Sequence, residues 1–192
     1  MKTRKFIEDK VGTLEWGSWE DFKVIREKLI LEDASYEFDV GKLRKKLLLM
    51  KIKERVSDPE AANELSEKAF QLFFKERNRV DFFPNVLDEI KKLALIYELG
   101  CLTNGNADIE IIGIDKFFEF NISSKDVGAN KPSENHFHSA RELLGLGKDE
   151  ILHIGDHKIN DMLGAISYGC EALWFNPDKR FWDLKDTKKP HE

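Results

Sequence analysis

The chain has 192 residues, of which 41% are hydrophobic, 35% charged and 11% aromatic. This composition fits one globular domain, or a core with a small appendage. A formal net charge of −5 argues against a nucleic-acid partner, because proteins that bind nucleic acids usually carry a net basic surface. No apolar run approaches the length of a membrane helix, and no signal-like stretch follows the basic N-terminus, so we expect a cytoplasmic protein without a membrane partner. The two cysteines, Cys101 and Cys170, exclude a disulfide framework and zinc-type ligand spacing.

The first 80 residues carry helical patterns. Apolar side chains recur at helical spacing over residues 21–31 and 40–56. Ser57-Asp58-Pro59-Glu60 resembles a capping box with proline in the first turn, which predicts a third helix. The predicted apolar face of that helix comprises Ala61, Leu65, Ala69, Leu72 and Phe73. The basic run from Lys42 to Arg55 either attracts an anion or is a solvated helix face.

From residue 81 onward the pattern alternates between helices and strands. Helices are predicted over 84–94, 107–116, 132–146 and 159–168, and strands over 95–102, 118–122, 151–154 and 172–175. This alternation predicts right-handed crossovers and an open α/β sheet, in which ligands bind beyond the carboxyl ends of the strands. We therefore predict a helical region over 1–80, an α/β core over 81–176 and a charged tail over 177–192.

Leu102-Thr103-Asn104-Gly105-Asn106 is the first of three segments at such strand ends. Its hydroxyl and backbone amides can hold a phosphate or a similar oxyanion. The alternative is a simple Asn-Gly turn.

Asn130-Lys131-Pro132 is the second segment, and it puts a lysine just before a predicted helix. The ammonium and the helix dipole can then face one anion. The alternative is an exposed lysine in a loop.

Ile154-Gly155-Asp156 is the third segment, and Asp161 follows five residues after its aspartate. Hard cations such as magnesium prefer oxygen ligands of this kind. The alternative is that Asp156 caps the helix and Asp161 is an ordinary acid of its first turn.

The order of the three segments resembles motifs two, three and four of the haloacid dehalogenase-like (HAD) hydrolases, over residues 81 to 177. The segments 102–107 and 153–156 are similar to the helical-capped phosphatases, such as bacterial flavin mononucleotide phosphatase, and the first half resembles their cap. The resemblance implies a HAD-like open parallel sheet with a Rossmann-like core, a helical cap, and Mg²⁺ as cofactor.

The same resemblance implies a role for each matching residue. Thr103 and the Asn104 amide would bind the transferring phosphoryl group, Lys131 would balance its charge, Asp156 would ligate magnesium, and Asp161 would support the metal and the lysine. Together these would form a phosphate clamp with a Lewis acid. Close relatives often carry a second acid after the metal aspartate; His157 stands there, and we do not assign it as a ligand.

One motif of the family is not found in the sequence. The family begins with an apolar strand and Asp-x-Asp-x-Thr, whose aspartates act as nucleophile and as general acid and base. The nearest match, at Asp9, has Val11 in the acid–base position and follows a polar segment. A second partial match to the motif surrounds Asp39 in the helical region. We therefore expect a core without its first strand, weakened magnesium affinity, and an open sheet edge able to recruit a partner chain.

Two explanations fit these observations. The chain is either a truncated HAD phosphatase or a HAD-derived protein that has lost catalysis. The predicted function is a magnesium-dependent phosphatase of small phosphomonoesters, such as a nucleotide, flavin or sugar phosphate, that is impaired as a catalyst. The alternative is a non-catalytic phosphate-ligand-binding or interaction protein, and a haloacid dehalogenase proper would need the same nucleophile. The expected partner is a small phosphorylated metabolite; the substrate and the oligomeric state do not follow from the sequence.

Overall fold

The computed structural model describes residues 2–185 and 187–191, which form two compact units. The first unit contains the residues up to 99 together with 105–120, and the second contains 100–104 and the residues from 121 onward. Within the described residues, no helix combines the length and the apolarity needed to cross a bilayer.

Four helices build most of the first unit: α1 (Lys2–Val11), α2 (Trp19–Glu32), α3 (Val40–Lys53) and α4 (Pro59–Arg77). The sequence predicted the last three and missed α1. Six of the ten residues of α1 are charged, so few apolar positions reveal its helical period. Ile7 is nevertheless fully buried in the helical core, whose buried members are Ile7, Leu14, Leu48, Ile52, Ala62, Ala69 and Phe70.

The predicted apolar face of α4 is partly wrong. Ala61 is exposed, and the buried residues of α4 are Ala62, Ser66, Ala69 and Phe70. A search for apolar residues alone overlooks Ser66, whose hydroxyl donates to the carbonyl of Lys45 in α3 at 3.4 Å. The N-cap is Asp58, which accepts from the Ala61 amide at 2.9 Å.

Most of the predicted strand over 95–102 is also not formed. Helix α5 (Val86–Leu93) continues into helix-type hydrogen bonds, with the Tyr97 amide donating to the Leu93 carbonyl at 2.8 Å. Leu95, Ile96 and Tyr97 are 86%, 72% and 62% exposed, so this run is not buried in a sheet. The strand β1 is limited to Gly100–Thr103. A short helix, α6 (Ile109–Ile112), and a 3₁₀ turn at Asp115–Phe117 replace the longer helix predicted over 107–116.

The second unit alternates strands and helices in the predicted order. After β1 come β2 (Phe120–Ser123), α7 (Ser124–Val127), α8 (Asn135–Leu144), β3 (Leu152–Gly155), a π-helical segment (Lys158–Leu163), α9 (Gly164–Tyr168) and β4 (Glu171–Trp174). The four strands form two separate sheets, β1 with β2 and β3 with β4. β3 and β4 are parallel, in a register that pairs Leu152 with Glu171 and Gly155 with Trp174.

One hydrophobic core supports both sheets of the second unit. Its buried members are Phe137, Met162, Ala165, Tyr168, Cys170, Ala172 and Trp174, and Leu102 of β1 packs against them. The α/β architecture expected for the core is therefore present, with its sheet in two halves.

The predicted charged tail packs along β4. The Trp174 amide donates to the His191 carbonyl at 2.7 Å, and the His191 amide donates to the Ala172 carbonyl at 3.0 Å. Trp182 packs edge-on against Trp174, with ring centroids 5.5 Å apart. The tail thus covers the outer edge of β4 with backbone hydrogen bonds.

Candidate functional site

Lys131 lies at the centre of the site and is buried, with 6% of its surface exposed. It occupies the connection between α7 and α8, before a cis peptide bond to Pro132. Its Nζ donates to the Leu102 carbonyl at 2.7 Å and pairs with Asp161 Oδ1 at 2.7 Å. The alternative of an exposed lysine is wrong, because the ammonium is held inside the unit.

Asn104 holds the backbone around Lys131. Its Oδ1 accepts from the Lys131 amide at 2.7 Å, and its Nδ2 donates to the Lys131 carbonyl at 2.9 Å. A simple Asn-Gly turn does not explain this two-sided contact across 27 residues.

Both carboxylate oxygens of Asp161 are engaged by donors. Oδ1 accepts from Lys131 and faces Nε2 of His153 at 3.3 Å, and Oδ2 accepts from the His157 amide at 3.0 Å. Burial by itself raises the pKa of Asp161, but the hydrogen bonds from His153 and Lys131 outweigh burial and lower the pKa well below its usual value. Asp161 is therefore an anion at neutral pH.

Gly155 allows Asp161 to approach the end of β3. A Cβ atom on Gly155 would lie 2.5 Å from Asp161 Cγ, which is closer than two carbon atoms can pack. Glycine at this position is thus required by the close approach of the carboxylate.

Asp156 presents its carboxylate to solvent at the carboxyl end of β3. Its carbonyl accepts from Trp174 Nε1 at 3.1 Å and from the Arg180 guanidinium at 3.0 Å. Asp156 is not the helix cap, since His157 has that role: its Nδ1 accepts from the amides of Ile159 and Asn160 at 3.2 and 3.0 Å. Asp156 is left with a side chain whose oxygens have no donor within the described part of the chain.

The exposed carboxylate of Asp156 can serve as one ligand of a hard cation such as magnesium. No group of three or more metal-binding side chains occurs among the described residues. Magnesium does not need such a group, because it keeps several waters and binds proteins through one or two carboxylates plus substrate phosphates. Since Asp161 holds Lys131 and the His157 amide, Asp156 is the carboxylate open to the ion, and the assignment of both aspartates stays a prediction.

Three further polar residues of the site, of which His136 and Ser124 are buried, were not predicted. His136 is fully buried, and its Nε2 lies 3.2 Å from the Thr103 carbonyl and 3.5 Å from the Ser124 hydroxyl, which itself donates to Asn104 at 3.2 Å. Burial lowers the pKa of His136, so its ring is neutral at pH 7. His153, the third residue, lies inside β3. The sequence signal for His153 was a polar residue at a strand position where the pattern requires an apolar one.

The two weak matches to the nucleophile motif have other structural roles. Asp9 lies on the exposed surface of α1. Asp39 is the N-cap of α3 and accepts from the Lys42 amide at 2.8 Å. Neither aspartate follows a strand, so neither has the position that the motif requires.

Comparison with known proteins gives concordant results. The family described as haloacid dehalogenase-like hydrolase matches residues 40–175. The chain is 30% identical to the 5-amino-6-(5-phospho-D-ribitylamino)uracil phosphatase YigB of Escherichia coli, over 86% of this chain and 71% of that protein. It is 29% identical to a phosphoserine phosphatase of Thermus thermophilus, over 77% of this chain and 64% of that protein.

The structure matches that of a 2-haloacid dehalogenase from Pseudomonas syringae with a TM-score of 0.86 and 29% identity, over 96% of this chain and 82% of the other. The family match spans more than half of the chain and includes Thr103, Lys131, Asp156 and Asp161. The protein therefore belongs to the haloacid dehalogenase-like hydrolases.

Proposed function

We propose that the second unit binds the phosphoryl group of a small phosphomonoester together with magnesium, and that the chain by itself is an impaired phosphatase. The observation that carries this proposal is the buried Lys131 ammonium, fixed between the carboxyl end of β1 and Asp161. A buried cation at strand ends is suited to binding an anion.

Lys131 keeps donor capacity for a ligand. A lysine ammonium has three N–H donors, and its two contacts in the structure go to Leu102 and Asp161. The remaining N–H and the backbone amide of Asn104 supply charge and direction for a phosphoryl oxygen. Asp161 orients the lysine through a buried ion pair, with 2.7 Å between Nζ and Oδ1.

Asp156 would hold the magnesium ion, which when bound would neutralise phosphoryl charge as a Lewis acid. Trp174 and Arg180 fix the backbone of Asp156 through its carbonyl, while its carboxylate stays open. The chain's own residues therefore orient the ester and balance its charge.

The covalent step lacks a carboxylate in this sequence. No Asp-x-Asp-x-Thr segment occurs, and neither Asp9 nor Asp39 lies at a strand end. Removing a nucleophile while keeping phosphate-binding residues leaves binding without efficient turnover, since the two contributions are separable. We therefore expect this chain to bind phosphomonoesters far better than it hydrolyses them.

The expected ligand class follows from the relatives. By their names, they dephosphorylate a ribitylamino-uracil phosphate and phosphoserine, while one structural neighbour is a 2-haloacid dehalogenase. The open Asp156 carboxylate favours the phosphate class, because it is a ligand for the cation that accompanies phosphate. A nucleotide, flavin or sugar phosphate remains the proposed ligand, and a phosphate-binding protein without turnover is the alternative.

Calorimetric titration with inorganic phosphate and with flavin mononucleotide, each with and without magnesium, tests the proposal. We expect magnesium-dependent binding that Asp156→Asn weakens at least about tenfold by removing a charged ligand. Lys131→Met should abolish the binding, with Lys125→Met as a control because Lys125 is exposed on α7. Far-UV circular dichroism checks that each variant is folded.

Enzyme assays complete the test. Phosphate release from flavin mononucleotide and chloride release from 2-chloropropionate should both stay near the uncatalysed rates. Absence of phosphate binding, or binding that Asp156→Asn and Lys131→Met leave unchanged, would refute the proposed site. Rapid magnesium-dependent phosphate release that Asp156→Asn abolishes would refute the impairment.

A further inference from the structure

His136 is a polar residue at a core position of α8. Its ring is fully buried, and the next residue, Phe137, belongs to the hydrophobic core of the second unit. Nε2 of His136 lies 3.2 Å from the Thr103 carbonyl at the end of β1. Nδ1 is buried and has no hydrogen-bond partner within the described part of the chain. An unpaired buried nitrogen costs free energy that an apolar side chain would avoid, so the histidine calls for a role at this position.

The contacts of Nε2 define the tautomer of the ring. A carbonyl oxygen only accepts, so the contact to Thr103 requires a proton on Nε2. The Ser124 hydroxyl, 3.5 Å from the same nitrogen, gives its single proton to Asn104 Oδ1 at 3.2 Å and cannot also donate to the ring. A second proton, on Nδ1, would be buried without an acceptor, and burial lowers the pKa of His136. The ring is therefore neutral at pH 7 and carries its proton on Nε2.

The hydrogen bond from His136 fixes the peptide unit that joins Thr103 to Asn104. This unit is trans, so its carbonyl and its N–H point in opposite directions. Because the Thr103 carbonyl points to His136 on α8, the Asn104 amide points away from α8. A rotated peptide unit would lose the bond to His136 and would turn its carbonyl oxygen to the side of the N–H, where the oxygen would repel an anion.

The side chain of Asn104 limits the same rotation from a second direction. Its Oδ1 accepts from the Lys131 amide at 2.7 Å, and its Nδ2 donates to the Lys131 carbonyl at 2.9 Å. The Lys131 ammonium in turn donates to the Leu102 carbonyl at 2.7 Å. The end of β1 is thus held by side chains from two later segments, and His136 supplies the contact to the Thr103 carbonyl.

We propose that His136 is a positioning residue of the phosphoryl site. By donating its Nε2 proton to the Thr103 carbonyl, it keeps the Asn104 amide turned toward the phosphoryl group. The inference rests on the proposed phosphate binding. His136 acts through the backbone, because its ring has no exposed surface with which to touch a ligand. A donor that already has the correct direction stabilises negative charge without a reorganisation cost when the ligand arrives.

Two amide side chains of different length separate positioning from folding. Glutamine at position 136 places an N–H donor near the position of Nε2, whereas asparagine, one methylene shorter, reaches only the position of Nδ1. Both side chains are neutral and polar, so a purely structural role predicts similar effects for the two variants. Calorimetric titration of the full chain with inorganic phosphate and magnesium measures the affinity. His138→Asn, at an exposed position of α8, is the control.

We expect His136→Asn to weaken phosphate binding by about 10- to 100-fold, the contribution of one hydrogen bond to a charged group. His136→Gln and His138→Asn should stay within about threefold of the unmodified chain. Unchanged affinity of His136→Asn, or equal losses in His136→Asn and His136→Gln, would overturn the inference while leaving the proposed function intact. Absence of phosphate binding by the unmodified chain would instead refute the proposed function, and the role of His136 with it.

NMR of the unmodified chain tests the same inference without a variant that has to fold. Long-range proton–nitrogen spectra of the histidine rings should show His136 protonated at Nε2 and unprotonated at Nδ1 at pH 7. The backbone amide of Asn104 should shift when phosphate and magnesium are added. A proton on Nδ1 would overturn the inference whether or not phosphate binds, and so would phosphate binding that leaves the Asn104 amide unshifted.

Discussion

Asp161→Asn is expected to lower the free energy of unfolding by about 3–5 kcal/mol, because it leaves a buried ammonium without a counter-charge. Lys131 and Asp161 are 6% and 7% exposed, and Nζ lies 2.7 Å from Oδ1. Asparagine keeps the volume and an acceptor for the His157 amide, so the variant removes mainly the charge. Lys131→Met should cost a similar amount, since it leaves the buried carboxylate with His153 and the His157 amide alone.

The double variant should cost clearly less than the sum of the two single ones. Removing both charges also removes the desolvation penalty, so we expect a coupling free energy of about 1–3 kcal/mol between Lys131 and Asp161. Urea denaturation followed by far-UV circular dichroism measures the four proteins of the cycle. The coupling should change little between low and high salt, because a buried pair is poorly screened.

Lys188 and Glu171 provide the matched control cycle. Their side chains are 63% and 47% exposed with 3.3 Å between Nζ and Oε1, and an exposed pair of this kind contributes little. We expect no coupling above the experimental error for Lys188→Met with Glu171→Gln. Additive costs at Lys131 and Asp161, or single costs below about 1 kcal/mol, would refute the reasoning about the buried pair.

Three further predictions concern stability and binding. Burial lowers the pKa of His136, so below about pH 6.5 the unfolded state takes up a proton that the folded state does not. The free energy of unfolding, measured by urea denaturation, should therefore fall as the pH decreases through this range. The dependence of this free energy on pH should be shallower for His136→Gln, and equal dependence in both proteins would contradict the reasoning. Gly155→Ala should displace Asp161 and weaken phosphate binding by at least about tenfold in calorimetry; unchanged affinity would count against the site. Ile52→Ala, in the fully buried core of the first unit, should cost about 2–5 kcal/mol, while Leu31→Ala, 88% exposed, should stay within about 0.5 kcal/mol.

Local sequence patterns predicted most elements of the second unit. β3 and β4 form within one residue of the predicted positions, since short apolar runs between turn residues have few other solutions. The order of strands and helices then predicted that Thr103, Lys131 and Asp156 meet at one end of the sheet. The family resemblance is confirmed. The domain boundary at residue 80 stays a prediction, and the first compact unit also includes residues 81–99.

The parts that failed depend on hydrogen bonds, some local and some distant in sequence, that the residue pattern does not define. The apolar run from Leu95 to Tyr97 resembles a strand by composition, but its hydrogen bonds continue α5. The two-sided contact of Asn104 with Lys131 joins residues 27 positions apart, and no local pattern contains it. Likewise, the cap by His157 instead of Asp156 depends on the direction of a side chain that the spacing of carboxylates does not define.

Trp174 gives the candidate site its own spectroscopic reporter. The indole is 2% exposed, donates to the Asp156 carbonyl at 3.1 Å and packs edge-on against Trp182. An ion or ester that moves the Asp156 backbone therefore changes the polarity around a buried fluorophore that is already part of the chain. Occupancy of the site can be followed through ultraviolet emission, without attaching a dye and without waiting for a product to accumulate.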